Sequence, residues 1–253
     1  MIDFTTVQSL ADTGVIRHGF FGRHGGVSTG DFAGLNVSHA VGDIPEAVEE
    51  NRALIAKTLG GTTLVTLKQV HSNRVIAVEA GAIPDRAIEA DAIVTRRADV
   101  LLGILTADCA PLLFLDRHAG VVGAAHAGWR GAVDGILENT LAAMEALGAQ
   151  RRRIQLAIGP TISQRNYEVG EQFKADALNQ NIKTETAFHT PPGGKPHFDL
   201  PGYLAAQARA LGLAEITDTA LCTYAEPTRF FSHRYATHRQ TRTGRQIAVI
   251  GLA

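Results

Sequence analysis

Apolar positions along this chain fall in short runs more often than in long periodic stretches. The runs Thr63–Leu67, Val75–Val78, Ala92–Thr95, Leu101–Leu105, Pro111–Leu115 and Gly120–Ala125 have the length of strands, and most are rich in β-branched or aliphatic residues. Further strands are predicted at Ile154–Gly159, Thr219–Thr223 and Gln246–Leu252. Helical spacing replaces this pattern from Pro45 to Leu59. There Asp43 is placed to cap, Pro45 sits in the first turn, acids cluster at the start, and Gly60–Gly61 end the helix. A second helix is predicted from Gly131 to Leu147, with Val133, Ile136, Leu137, Leu141 and Met144 on one face. A third covers Glu171–Leu178, and Asp199–Pro201 opens a fourth that closes at Gly212. Strands outnumber helices and do not alternate with them, which predicts an α+β fold and not a doubly wound sheet. The stretch Arg17–Gly42 is rich in Gly, His, Ser and Asn without a period, and reads as a functional loop region.

Composition narrows the classes. The 253 residues are 45% apolar and 19% charged, enough to bury a sizeable core, and are read as one domain spanning 1–253. The formal net charge of −1 leaves no electrostatic footprint for nucleic acid or an anionic membrane. The N-terminus has no basic region followed by an apolar stretch, and no run approaches the roughly 18 apolar residues of a membrane helix. Two cysteines, Cys109 and Cys222, are too few for a secreted disulfide scaffold. These features predict a cytoplasmic chain with reduced thiols.

Three segments carry candidate chemistry: LKQVHS (Leu67–Ser72), TADCAP (Thr106–Pro111) and HAGWRG (His126–Gly131). Each puts a potential metal ligand at the end of an apolar run, where side chains can converge on one sheet edge. His71, Cys109 and His126 make a set of two imidazoles and one thiolate, which suits Zn²⁺ and leaves a fourth tetrahedral position open. Cu²⁺ could enter the same site. The competing reading is one core cysteine and two satisfied histidines. Gly128 to Gly131 lead directly into a helix, so free N–H groups face the edge that carries His126, and Arg130 could fork onto a phosphate or carboxylate. Arg23 and Asn36 of the Gly-rich region are further candidate substrate contacts, although that region matches neither a Walker loop nor a dinucleotide fingerprint. Cys222 reads as a structural thiol. Ser232 and Arg234 fit an active-site edge and a surface turn equally well.

At LKQVHS, TADCAP, HAGWRG, AIGPTIS and the late CTY, FFSHR and TGR segments, the sequence resembles the purine nucleoside phosphorylase family formerly called multicopper polyphenol oxidoreductases or laccase-domain proteins. Relatives of that family include human FAMIN and bacterial peptidoglycan editing factors. The resemblance runs from about His18 to Ile250. It implies a layered α/β/β/α domain similar to the cytotoxic necrotizing factor catalytic domain, and a zinc site at His71, Cys109 and His126. It also implies phosphorolysis of adenosine, inosine, guanosine and methylthioadenosine, with adenosine deamination as a second activity. The partners implied are a small nucleoside and phosphate, for a monomer or homodimer. A multicopper oxidase would need many more paired histidines. The ten here are scattered, and no two are separated by a single residue.

Cys109, His126 and Arg130 are accordingly the candidate catalytic residues, with Arg23, Asn36 and Arg130 as substrate contacts. Deamination would need a carboxylate proton shuttle. Asp108 is nearest in sequence but should point away from Cys109 on an extended chain, which leaves Glu168 or Asp199. Two rivals stand beside this reading. One is a cysteine-dependent amidase editing peptidoglycan precursors, with Cys109 as nucleophile and His126 as its base. The other is a non-catalytic metal-binding or interaction protein.

Overall fold

The computed structural model describes residues 2–11, 14–60, 63–81 and 83–253. In chain order the strands and helices are β1 (Phe4–Thr5), α1 (Gln8–Ala11), β2 (Ile16–Phe21), α2 (Pro45–Thr58), β3 (Thr63–Val65), β4 (Val75–Val78), β5 (Ala92–Thr95), β6 (Val100–Thr106) and β7 (Ala110–Asp116). They continue as β8 (Val121–Ala127), α3 (Trp129–Val133), α4 (Ile136–Ala146), β9 (Gln155–Ile158), α5 (Glu171–Gln180), β10 (Phe188–His189) and β11 (His197–Phe198). The last are α6 (Leu200–Ala210), β12 (Glu215–Asp218), α7 (His233–Arg239) and β13 (Gln246–Leu252).

Two mixed sheets form the centre, with strand orders β1-β2-β13-β6-β3 and β12-β9-β7-β8-β5-β4. Strands β7 and β8 are buried at every position, because both faces of their sheet are covered. Alternation sorts their side chains between the two faces. Leu113, Leu115, Val122 and Ala124 pack against Leu102, Ile104, Ala248 and Ile250 of the facing sheet. Leu112, Phe114, Val121 and Ala125 turn outward onto Ile136, Leu141 and Met144 of α4 and Leu204 of α6. On the other side, Ile55 and Ala56 of α2 cover Leu101, Ile247 and Val249. The layers are thus helix, sheet, sheet, helix, and the α+β architecture is as the sequence predicts.

Differences from the predicted elements have local causes. The helix predicted over Gly131–Leu147 is two helices, broken where Gly135 takes φ +91. Asp43 does not cap α2, whose N-cap is Ile44. The Asp43 carboxylate instead accepts Ser28 Oγ at 2.6 Å and Asn36 Nδ2 at 2.8 Å, tying the Gly-rich loop together. Gly61, predicted to help end α2, lies outside the described residues; Gly60 takes φ +64. The predicted strand Thr219–Thr223 is displaced to β12, and the segment beyond it turns through Ala220 at φ +53. The loop region predicted over Arg17–Gly42 opens with an ordered strand, β2. Asp199 caps α6 as its sequence suggests, accepting Gly202 N at 3.0 Å.

Candidate active site

The route from the first sheet to the second builds the site. Two connections make that step, β3 to β4 and β6 to β7, and they carry His71 and Cys109. His126 lies on β8, opposite Pro111 of β7. It shares the strand parity of Val122 and Ala124, so its ring opens into the space between the sheets at their edge. His71 and Asp108 both hold left-handed backbone, at φ +61 and +87, which costs each of them of the order of 1–2 kcal/mol. The chain bends sharply beside both ligands, and the surrounding hydrogen bonds must hold the bends.

Asp91 does most of that holding for His71. Its fully buried carboxylate accepts the consecutive N–H groups of Val70, His71 and Ser72 at 3.1, 3.0 and 2.7 Å, and Ser72 Oγ at 2.8 Å. The same carboxylate lies 2.8 Å from His126 Nδ1, which leaves Nε2 of that ring to face Cys109. Burial alone would raise the Asp91 pKa, but the bonds from His126 and Ser72 outweigh it and bring it to about 2. Gln69 adds a second anchor, its side-chain amide exchanging bonds of 2.7 and 2.8 Å with the Leu105 backbone.

The ligand atoms of His71, Cys109 and His126 all lie within 4.8 Å of one another, with Cys109 Sγ 3.8 Å from His71 Nε2. This is the one such His, Cys, Asp or Glu group found among the described residues. Burial would push the Cys109 thiol up, yet the charge and hydrogen bond of His126, with His71, bring its pKa down to about 6. Burial would likewise favour neutral His126, but Cys109 and Asp91 raise it to about 9. The pairing thus favours the thiolate of Cys109 and the charged ring of His126, with the Asp91 carboxylate behind them. As donors, a ready thiolate and two imidazoles, one with its second nitrogen fixed by a carboxylate, fit a borderline divalent metal.

A cavity of about 570 Å³ opens beside the cluster, within the usual range for small-molecule sites. His71, Cys109 and His126 lie in its wall together with Arg52, His233 and Arg245, and the lining contains no Asp or Glu. A second cavity of about 390 Å³ is lined by Trp129, Tyr167, Phe173 and Arg234.

The structure brings the three predicted ligands together and places the other candidates elsewhere. Arg130 is exposed, its guanidinium 4.6 Å from the Trp129 ring centroid, and it lines neither cavity. Arg23 stacks on Phe231 and donates to Pro227 O at 3.0 Å, beside a different hollow. Asn36 is fully buried, and its Oδ1 accepts the backbone N–H groups of Ser38 and Arg245. Asp108 points away from the cluster as expected, accepting Thr223 Oγ1 at 2.7 Å and Arg234 N at 2.6 Å. Glu168 pairs with Lys195 in the wall of the second cavity and Asp199 caps α6, and neither lines the cavity beside the cluster. Ser232 caps α7, and Arg234 lies over Tyr167. Cys222 accepts bonds from Ser163 N, Ser163 Oγ and Asn166 Nδ2 at 3.2–3.3 Å. Sequence reading missed Asp91, Arg52 and Arg245. For Asp91 a signal existed, an acid standing directly before the uninterrupted apolar run of β5.

The model of the multi-copper polyphenol oxidoreductase laccase family matches residues 17–253. The chain belongs to that family. A Deinococcus radiodurans protein named purine nucleoside phosphorylase is 40% identical over 243 residues, covering 94% of this chain and 89% of that one. A Streptomyces griseus protein of the same name is 40% identical over 245 residues, covering 95% and 96%. Among solved structures, a Neisseria meningitidis family member superposes with a TM-score of 0.85 at 32% identity, over 99% of this chain and 98% of its own. YlmD from Geobacillus stearothermophilus superposes with a TM-score of 0.87 at 29% identity, over 100% and 99%. The family description speaks of several coppers, whereas the relatives' names speak of nucleosides. Among the described residues one three-donor cluster that could hold a metal is present. No helix among the described residues is long and apolar enough to cross a membrane.

Proposed function

We propose that this protein is a zinc-dependent purine nucleoside phosphorylase, holding the metal with His71, Cys109 and His126. The observation that carries the reading is the acid-free, cation-rich cavity into which the His–Cys–His cluster opens. A nucleoside and an anion can share such a space, and relatives across nearly the whole chain bear that name. In phosphorolysis a phosphate oxygen bonds to C1′ of the ribose as the C1′–N9 bond breaks. The electron pair leaves with the purine, which takes up the proton brought by hydrogen phosphate. Zinc held by His71, Cys109 and His126 would supply a Lewis acid beside the substrate. The chain's own part is positioning: Asp91 fixes the His126 ring and the His71 loop, while the walls hold substrate against the cluster. Adenosine deamination takes second place, because zinc deaminases employ a carboxylate proton shuttle and this cavity wall has none. The test is a screen of inosine, guanosine, adenosine and methylthioadenosine with phosphate, following base and ribose-1-phosphate. The expected result is phosphate-dependent release that Cys109→Ala abolishes. Release that survives that substitution would reject the reading.

One observation favours a second reading. Cys109, His126 and Asp91 stand in the order nucleophile, base and orienting carboxylate, and the thiol is already acidified. A cysteine-dependent amidase would work with the metal chelated and die on alkylation of Cys109. A phosphorylase of the proposed kind would lose activity to chelator and regain it with Zn²⁺.

A further inference from the structure

Four Lys or Arg side chains line the cavity beside the cluster: Arg52, Lys68, Arg86 and Arg245. Two of them are already spoken for. Lys68 pairs with Glu89 at 2.7 Å and Arg86 with Glu49 at 2.6 Å. Arg52 and Arg245 take part in no ion pair among the described residues. Yet Arg52 is only 6% exposed and Arg245 is half-buried. A guanidinium taken out of water without a counter-charge is costly, and proteins normally bury such a group against a carboxylate.

Both side chains are held in place by neutral acceptors instead. Arg52 donates Nη1 to Val37 O at 3.2 Å and Nη2 to Thr66 Oγ1 at 2.6 Å. Arg245 donates Nη1 to Gly244 O at 2.9 Å, which leaves its Nε and Nη2 without a hydrogen-bond partner among the described residues. One short segment ties the pair to the same wall. The Val37 N–H bonds Arg245 O at 3.1 Å, while Val37 O accepts the Arg52 guanidinium. Asn36 completes the scaffold by accepting the Arg245 N–H. Burial lowers the pKa of both arginines; the charge of Glu49, already paired with Arg86, partly offsets this for Arg52, and Cys109 and Asp108 partly offset it for Arg245.

We propose that Arg52 and Arg245, on the Val37–Ser38 wall, form the anion subsite that receives inorganic phosphate beside the His71–Cys109–His126 cluster. This rests on the phosphorylase reading for the role of the anion, but not for its binding. It moves the phosphate away from Arg130, which lies outside the cavity. Asn36 and the Gly-rich loop then serve as positioning residues for Arg245.

The test titrates inorganic phosphate into the zinc-loaded full chain by calorimetry, with sulfate as competitor and chloride at equal ionic strength as control. Arg245→Gln should raise the phosphate Kd roughly 10–100-fold, as expected for losing charged hydrogen bonds. Its zinc affinity and melting temperature should stay at wild-type values. Arg52→Lys keeps a charge at the buried position and should weaken phosphate less. Arg130→Gln and Arg23→Gln should leave phosphate binding within about twofold of wild type. Unchanged phosphate affinity in Arg245→Gln, or a loss in Arg130→Gln instead, overturns the assignment. Turnover separates the two proposals. Phosphate binding that depends on Arg245 in a protein that splits no nucleoside upholds the subsite and rejects the phosphorylase. Where turnover is seen, KM for phosphate should rise in Arg245→Gln while KM for inosine stays.

Discussion

Gly128 offers a sharp test of whether the His–Cys–His cluster holds a metal. Its backbone sits at φ −73 and ψ 166, which any residue can adopt, so alanine is not excluded by conformation. What excludes it is space. An added Cβ would stand 2.6 Å from His71 Cδ2, 3.2 Å from Cys109 Sγ and 3.4 Å from His71 Nε2. Ordinary contact begins near 3.4 Å, so the His71 ring would have to retreat by about 0.8 Å. His71 is exposed and can move, and the fold should therefore lose no more than about 1 kcal/mol. A metal site tolerates ligand errors of only about 0.2 Å. Gly128→Ala should weaken zinc about 10–100-fold, or roughly 1.4–2.7 kcal/mol. Competition against a chromophoric chelator measures the affinity, and melting of the metal-free protein measures the fold. Wild-type zinc affinity in a folded Gly128→Ala variant would refute the argument that these three side chains converge on an ion.

Other outcomes follow from the same geometry. Asp91→Asn should cost about 3–5 kcal/mol, because it removes the charge that His126 and three N–H groups face, and should weaken zinc further; urea melts and the chelator titration report the two effects. In metal-free protein, alkylation of Cys109 by iodoacetamide should rise through pH 6 and level off above it, and zinc should block it; peptide mass mapping separates it from Cys222, and a rise centred near pH 8.5 would contradict the thiolate. His18 is 5% exposed, accepts the Val7 N–H at 3.0 Å, and is held neutral by burial with a pKa of about 4. Its unfolded value is 6.5, so between these limits the unfolded chain binds the extra proton. Stability is full above pH 6.5 and falls by up to about 3 kcal/mol as pH drops to 4. His18→Gln should flatten that slope in urea melts, and parallel profiles would count against it.

The sequence made some elements legible because their signals were local. Pro45 with its following helical period located α2, and the apolar run Gln246–Leu252 is β13 residue for residue. The three clustered ligands were legible for the same reason, each following an apolar run, Cys109 two residues before Pro111 and His126 two before Gly128. Signals that depend on distant partners were not. Gly135 lies inside a good helical period, and only packing shows that the chain breaks there. Asn36 resembled a substrate contact because it is polar in a Gly-rich loop. Whether an amide faces a ligand or the backbone of residue 245, more than two hundred positions away, is decided by tertiary structure. Arg52 carried no local signal within the α2 period, and its burial follows from the Val37 segment folding over it. Asp91 stood out only as an acid before the apolar run of β5, and its role emerged when the β8 strand brought His126 against it.

The two crossings that carry His71 and Cys109 give the site a mechanical consequence. Each is a short bridge by which the chain leaves one sheet for the other, and His126 belongs to the second sheet. An ion gripped by all three would tie both crossings to the edge of the second sheet where they arrive, and release of the ion would free those junctions. Amide hydrogen exchange at the Leu105 and Ala110 ends of the crossing should slow on metal loading more than at the far ends of the same strands. The protein would thereby report metal supply in the stiffness of its fold.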